Sequence, residues 1–64
     1  MEFEIGDIVE IICVNDFDTD VEKYIGETGE IIEIDEQEEY PYCVKVESNN
    51  HEIYFAEDEL ELIQ

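Results

Sequence analysis

Gly26-Glu27-Thr28-Gly29-Glu30-Ile31-Ile32-Glu33-Ile34-Asp35 is the stretch on which the reading of the fold turns. Its two glycines bracket a tight turn, where positive φ is expected. Residues 28–35 then read as a β-strand. Ile31, Ile32 and Ile34 crowd too closely for strict alternation, so a β-bulge is expected among them. This turn and strand split the chain into two halves, and both halves read as strands.

Towards the N-terminus, residues 1–5 alternate acid and apolar side chains, as a short lead-in strand with one wet face would. Gly6-Asp7 signals a turn. Residues 8–14 read as the first long strand, with Val9 and Ile11 towards a core. Ile8, Glu10, Ile12 and Val14 share its other face, which is unusually apolar for an antiparallel sheet. Residues 15–25 form a long loop, with Phe17, Val21 and Tyr24 expected to tack it to the core.

Towards the C-terminus, residues 35–41 form a second acidic loop, and Pro41 should open an edge strand. Residues 42–46 alternate cleanly, with Tyr42, Val44 and Val46 inward and Cys43 and Lys45 outward. Ser48-Asn49-Asn50 marks a hairpin turn, because asparagine tolerates the left-handed region. Residues 51–55 follow as a strand with Ile53 and Phe55 inward and Tyr54 outward. Residues 56–60 read as one helical turn, whose acids Glu57, Asp58 and Glu59 suit a helix N-terminus. Residues 61–63 close the sheet, with Leu60 and Leu62 sealing the core. The expectation is an all-β fold: one domain over residues 1–64, a small five-stranded barrel with one helical turn before the last strand.

The residues that carry this pattern are Phe3, Gly6-Asp7-Ile8-Val9, Gly26, Gly29, Ile31, Tyr40-Pro41-Tyr42-Cys43-Val44-Lys45-Val46 and Phe55-Ala56-Glu57-Asp58-Glu59-Leu60-Glu61. Together they resemble the SH3-like barrel superfamily, including small barrels of bacteria and phages. The last two blocks are similar to the peripheral barrel subunit IV of photosystem I. These are core and turn residues, so the resemblance implies a fold and not an activity. Subunit IV docks acidic ferredoxin through basic side chains, and a chain with two lysines does not inherit that role.

Composition bounds the function. The chain has 64 residues, 44% of them apolar, enough for one core. Twenty-one acids face two lysines, giving a net charge of −19. Such a chain does not bind nucleic acid or anionic lipid directly. No apolar run approaches the length of a membrane span and no signal segment is visible, so a cytoplasmic setting is expected. Two cysteines are too few for a disulfide scaffold.

Three kinds of chemistry are candidates. Asp16-x-Asp18-x-Asp20-x-Glu22-x-Tyr24-x-x-Glu27 has acids at positions one, three, five and twelve of an EF-hand-like loop. Position six should be glycine and is Val21, and the flanks read as strands, which favours weak, nonspecific screening by divalent cations. Cys13, Cys43 and His51 lack paired ligand spacing, and by parity the cysteines lie on opposite faces. Catalysis by a carboxyl pair needs one acid buried enough to keep its proton, and nearly all acids map outward. No nucleophile–base set exists, and a barrel this small has little room for a substrate. No enzyme activity, metal or cofactor is therefore expected, and a small-molecule substrate is not.

Charge is the remaining signal. Acids recur at every second residue in Glu2/Glu4, Asp16/Asp18/Asp20, Glu36/Glu38 and Glu57/Glu59/Glu61. On extended backbone that is roughly 6.6 Å along one face. DNA carries one phosphate per about 3.4 Å of axis on each strand, so a row of carboxylates can imitate a phosphate array. A domain needing only solubility would carry a net charge of about 2–8. The expected function is a non-enzymatic DNA mimic of phage or mobile-element origin. Its partner would be a basic or nucleic-acid-binding protein, such as a defence nuclease. The residues expected to meet that partner are Asp16, Phe17, Asp18, Asp20, Glu22, Glu36, Glu38, Glu39, Tyr40, Tyr54, Glu57 and Asp58. The alternative is an accessory subunit docked through Ile8, Ile12 and Val14, with acidity reflecting solubility or halophilic adaptation.

Overall fold

Among the described residues, five antiparallel strands make one sheet: β1 (Ile8–Ile11), β2 (Thr28–Ile34), β3 (Tyr42–Val46), β4 (Glu52–Phe55) and β5 (Leu60–Leu62). The computed structural model describes residues 3–14 and 19–63, with backbone alone at residues 19 and 20. The hydrogen-bonded order is β4-β3-β2-β1-β5. A four-residue helical turn, α1 (Thr19–Glu22), lies between β1 and β2, and a 3₁₀ turn at Glu57–Glu59 precedes β5. The fold is all-β, as the alternating pattern predicts.

Closure into a barrel, expected from the sequence, is not present in the hydrogen bonding of the described residues. The order leaves β4 and β5 as edges, and these are short strands of four and three residues. The Cα radius of gyration is 10.3 Å, near the roughly 11 Å of a well-packed chain this long. The sheet therefore coils around its core instead of lying flat.

The core is built from the inward side chains of every strand. Val9 and Ile11 of β1, Ile31 of β2, Tyr42, Val44 and Val46 of β3, Phe55 of β4 and Leu60 of β5 are all buried. Phe3 closes one end, its ring edge-on to Tyr42 with centroids 5.3 Å apart. Tyr24 closes another side, as expected, with the partly buried Val21 beside it. The Tyr24 hydroxyl accepts from Asn49 Nδ2 at 2.8 Å and lies 3.0 Å from His51 Nδ1. Asn50 turns that hairpin at φ 61°, the left-handed conformation read from its sequence. Phe17 lies outside the described residues.

The bulge in β2 is where expected, and it decides the rest of that strand. Ile31 pairs with Val44, yet Glu33 pairs with Cys43 and Ile34 with Tyr42. Ile32 is thus the extra residue. In a regular strand Ile31 and Glu33 would share the inner face. Inserting Ile32 turns Glu33 outward and sends Ile34 towards the core.

Several expectations need correction. Residues 3–5 do not form the expected strand, while the turn expected at Gly6-Asp7 is present. The Asp7 carboxylate accepts from the Glu4 amide at 2.9 Å and the Asp7 amide donates to the Glu4 carbonyl at 3.0 Å, closing a turn. The first strand stops at Ile11, and the Ile12 amide donates to the carbonyl of Glu59, the last residue of the 3₁₀ turn just before β5. Gly26 has the expected positive φ of 94°, but Gly29 does not. Gly29 sits within β2, where an added Cβ would lie 2.6 Å from the Lys45 carbonyl oxygen. It is glycine because two strands approach closely there. Leu62 is 40% exposed and does not seal the core, unlike Leu60 at 5%.

Candidate functional site

The outer face of the sheet carries two cross-strand rows. One is Glu30–Lys45–Glu52, running over β2, β3 and β4. Lys45 stands between two acids, a favourable arrangement of opposite charges. The next row is Glu33–Cys43–Tyr54. It exists because the bulge brought Glu33 outward. Tyr54 reaches across β3, and its hydroxyl donates to Glu33 Oε1 at 2.7 Å.

That bridge has two consequences. It pushes the Tyr54 pKa up to about 12, through the hydrogen bond to Glu33 first and the Glu33 charge second. It also covers Cys43. Parity places Cys43 outward, as the sequence implied, but the side chain is buried at 2% exposure between its cross-strand neighbours. Burial pushes the thiol pKa up, with a smaller lowering from its hydrogen bond to Tyr54. Cys43 thus keeps the outward parity expected of it, yet is covered by its neighbours.

The loop of residues 35–41 stands beside this row. It is a tight structure with bonds at both ends. The Asp35 amide donates to the Pro41 carbonyl at 2.8 Å, and the Glu38 amide to the Asp35 carbonyl at 3.1 Å. Asp35 Oδ1 accepts from the Gln37 amide at 3.2 Å, an Asx-type turn that aspartate favours. The result is a groove of about 490 Å³ lined by Glu33, Asp35, Glu38, Glu39, Tyr40 and Tyr54. Four acids surround two phenol rings. Tyr54 is about half exposed at 49%, and Tyr40 is half-buried.

Of the residues expected to meet a partner, Glu38, Glu39, Tyr40 and Tyr54 are brought together here. Glu36 is exposed on the same loop but does not line the groove. Glu22 is exposed on α1, away from these lining residues in the chain. Glu57 and Asp58 line a different groove with Phe3, Leu60, Glu61 and Leu62. Asp16, Phe17 and Asp18 lie outside the described residues, as does the side chain of Asp20, and with them most of the EF-hand-like spacing. Sequence reasoning missed Glu33 and Asp35 as lining residues. The signal for Glu33 was present in the bulge, but only the pairing register says which face it turns to.

Not all acids are outward. Glu59 is buried at 1% exposure. Its carboxylate turns back to accept from the Ala56 amide at 2.7 Å, and so caps the 3₁₀ turn. This corrects the expectation that residues 57, 59 and 61 form one exposed row. Among the described residues, no three His, Cys, Asp or Glu side chains are placed to hold a metal ion. Cys13 Sγ lies 3.4 Å from the Asp58 carbonyl, and His51 is engaged with Tyr24. Among those residues, no helix is long and apolar enough to cross a membrane.

These features define a class: an acidic five-stranded antiparallel β domain with a carboxylate-and-phenol groove at one corner of its sheet. No family model matches the chain, and no curated protein matches it. Among solved structures, the NMR structure of the Bacillus subtilis protein YorP is similar, with a TM-score of 0.77 and 30% identity. The match covers 100% of this chain and 73% of that one. The chain belongs to the same family as YorP.

Proposed function

We propose that this chain is a non-enzymatic acidic binding module that occupies the nucleic-acid site of a basic protein, acting as a DNA mimic. The observation that supports this reading is the groove in which Glu33, Asp35, Glu38 and Glu39 surround Tyr40 and Tyr54. A surface of lysine and arginine donors built for phosphates accepts carboxylates in the same way. Tyrosine rings set among the acids supply the buried anchors that charge alone lacks. The mechanism is competition for the site, without turnover. The setting we propose is the cytoplasm of a host cell, with the gene carried by a phage or mobile element. We also read the fold as an SH3-like barrel left open between β4 and β5. The strand order and the 3₁₀ turn before the last strand support that reading.

The test is capture of partners from host lysate at about 0.15 M salt, followed by competition of each captured protein with duplex DNA. The wild-type chain should displace DNA from a captured protein, and the double variant Glu38→Lys, Glu39→Lys should fail to. If no captured protein binds DNA, or the double variant competes equally well, the proposal fails.

An accessory-subunit role has one observation in its favour. Ile12 is 42% exposed and Ile8 is half-buried, whereas Val14, expected on the same face, packs against the core instead. Ile12→Glu should abolish assembly under that reading and leave competition with DNA intact.

A further inference from the structure

The 3₁₀ turn and β5 build a second groove, of about 700 Å³, lined by Phe3, Glu57, Asp58, Leu60, Glu61 and Leu62. Its floor is apolar and its acids are three. Strand alternation alone would put Leu60 and Leu62 on one inner face. Leu60 reaches the core, but Leu62, paired with Val9 at the far end of a three-residue strand, keeps 40% of its surface in solvent. All three residues of β5 line the groove, and β5 is the outermost strand on its side of the sheet. An outermost strand is where an extended segment can add main-chain hydrogen bonds while alternate side chains enter pockets.

We propose that this groove is a second docking site, separate from the carboxylate-and-phenol groove, for an extended basic peptide segment that sets an apolar side chain between lysines or arginines. Charge complementarity selects this occupant. The apolar floor asks for an aliphatic or aromatic side chain, and Glu57, Asp58 and Glu61 ask for flanking cations. A second copy of this chain is disfavoured, because each copy carries −19 and the charges near such a contact lie within the Debye length of about 10 Å at 0.1 M salt. The site does not depend on DNA mimicry. It serves equally well as the point where a basic tail of a partner is held.

The probes are two fluorescein-labelled seven-residue peptides, one alternating lysine with leucine and one alternating lysine with serine. Their binding to the full chain is read by fluorescence anisotropy at about 0.15 M salt. Burying one leucine side chain corresponds to roughly tenfold or more in affinity, so the leucine peptide should bind at least about tenfold more tightly than the serine peptide. Leu62→Ser should remove that advantage, and circular dichroism reads whether the variant keeps its fold. Glu61→Lys, at an exposed position, should weaken both peptides and leave their ratio unchanged. Glu38→Lys with Glu39→Lys should also leave the ratio unchanged. Equal binding of the two peptides overturns the proposal, as does a ratio that survives Leu62→Ser or is lost in the Glu38/Glu39 double variant. Sedimentation tests the remaining occupant. A wild-type dimer that becomes monomeric in Leu62→Ser would assign the groove to a second copy and overturn the basic-peptide assignment.

Discussion

Replacing Gly29 with alanine tests the strand pairing on which the acidic groove stands. Gly29 faces Val46 across the β2–β3 ladder, four residues before Glu33. An alanine Cβ there would lie 2.6 Å from the Lys45 carbonyl oxygen and 2.6 Å from Val44 Cγ1. Nonbonded carbon contacts are comfortable at about 3.5–4.0 Å, so close to 1 Å has to be found. Val44 is a buried core residue and the Lys45 oxygen is backbone, so neither can swing aside. Overpacking of this kind costs about 1–3 kcal/mol. The smaller conformational freedom of alanine in the unfolded chain returns about 0.4–1 kcal/mol. The net loss is about 1–2 kcal/mol. At about 4–8 °C per kcal/mol for a domain of this size, Tm should fall by roughly 5–15 °C. That is a large share of the about 3–10 kcal/mol available to a chain this short. Thermal melts followed by circular dichroism, with urea titrations alongside, measure it. Gly26→Asn is the control. Gly26 has φ +94° with nothing within 4 Å of a built Cβ, and asparagine enters the left-handed region more readily than other side chains. It should lose less than Gly29→Ala. A Gly29→Ala variant that melts at or above wild type would refute the close-approach argument and the β2–β3 register with it.

Three further outcomes are expected. The Tyr54 hydroxyl should titrate near 12 in an absorbance titration, and Glu33→Gln should bring it back towards 10. The folded pKa is the raised one, so the stability it contributes is complete below about pH 10 and is lost as pH rises through about 12. A Tyr54 that titrates near 10 in the wild type would show that the bridge to Glu33 is absent. Glu59→Ala should cost about 1–3 kcal/mol, because the Ala56 amide loses its acceptor next to a buried side chain. Glu59→Gln keeps an acceptor oxygen and should cost less, so equal losses in urea titration would exclude the cap. Finally, Tm should rise from about 0.01 M to 0.5 M salt, because screening weakens the repulsion among acids that gives −19. A flat profile would show that the acids do not oppose folding.

What the amino-acid sequence settled by itself was local. Alternation of period two placed Val9, Ile11, Tyr42, Val44, Val46 and Phe55 in the core, because side chains of successive strand residues point to opposite faces. Crowded isoleucines announced the bulge, Asn50 the left-handed turn, and the acids their excess. Tertiary structure decided whatever depends on a neighbour distant in the chain. Glu33 faces outward only because Ile32 is the extra residue in a ladder with β3. Cys43 is buried, although its parity is outward, because Tyr54 and Glu33 flank it from two other strands. Glu59 is buried because its carboxylate finds the Ala56 amide, while Leu62 stays open because β5 ends the sheet. A strand's own periodicity says which two faces it has. Which face is covered, and by what, is set by pairing register and by the strands on either side, and that information is not local to any stretch of the chain.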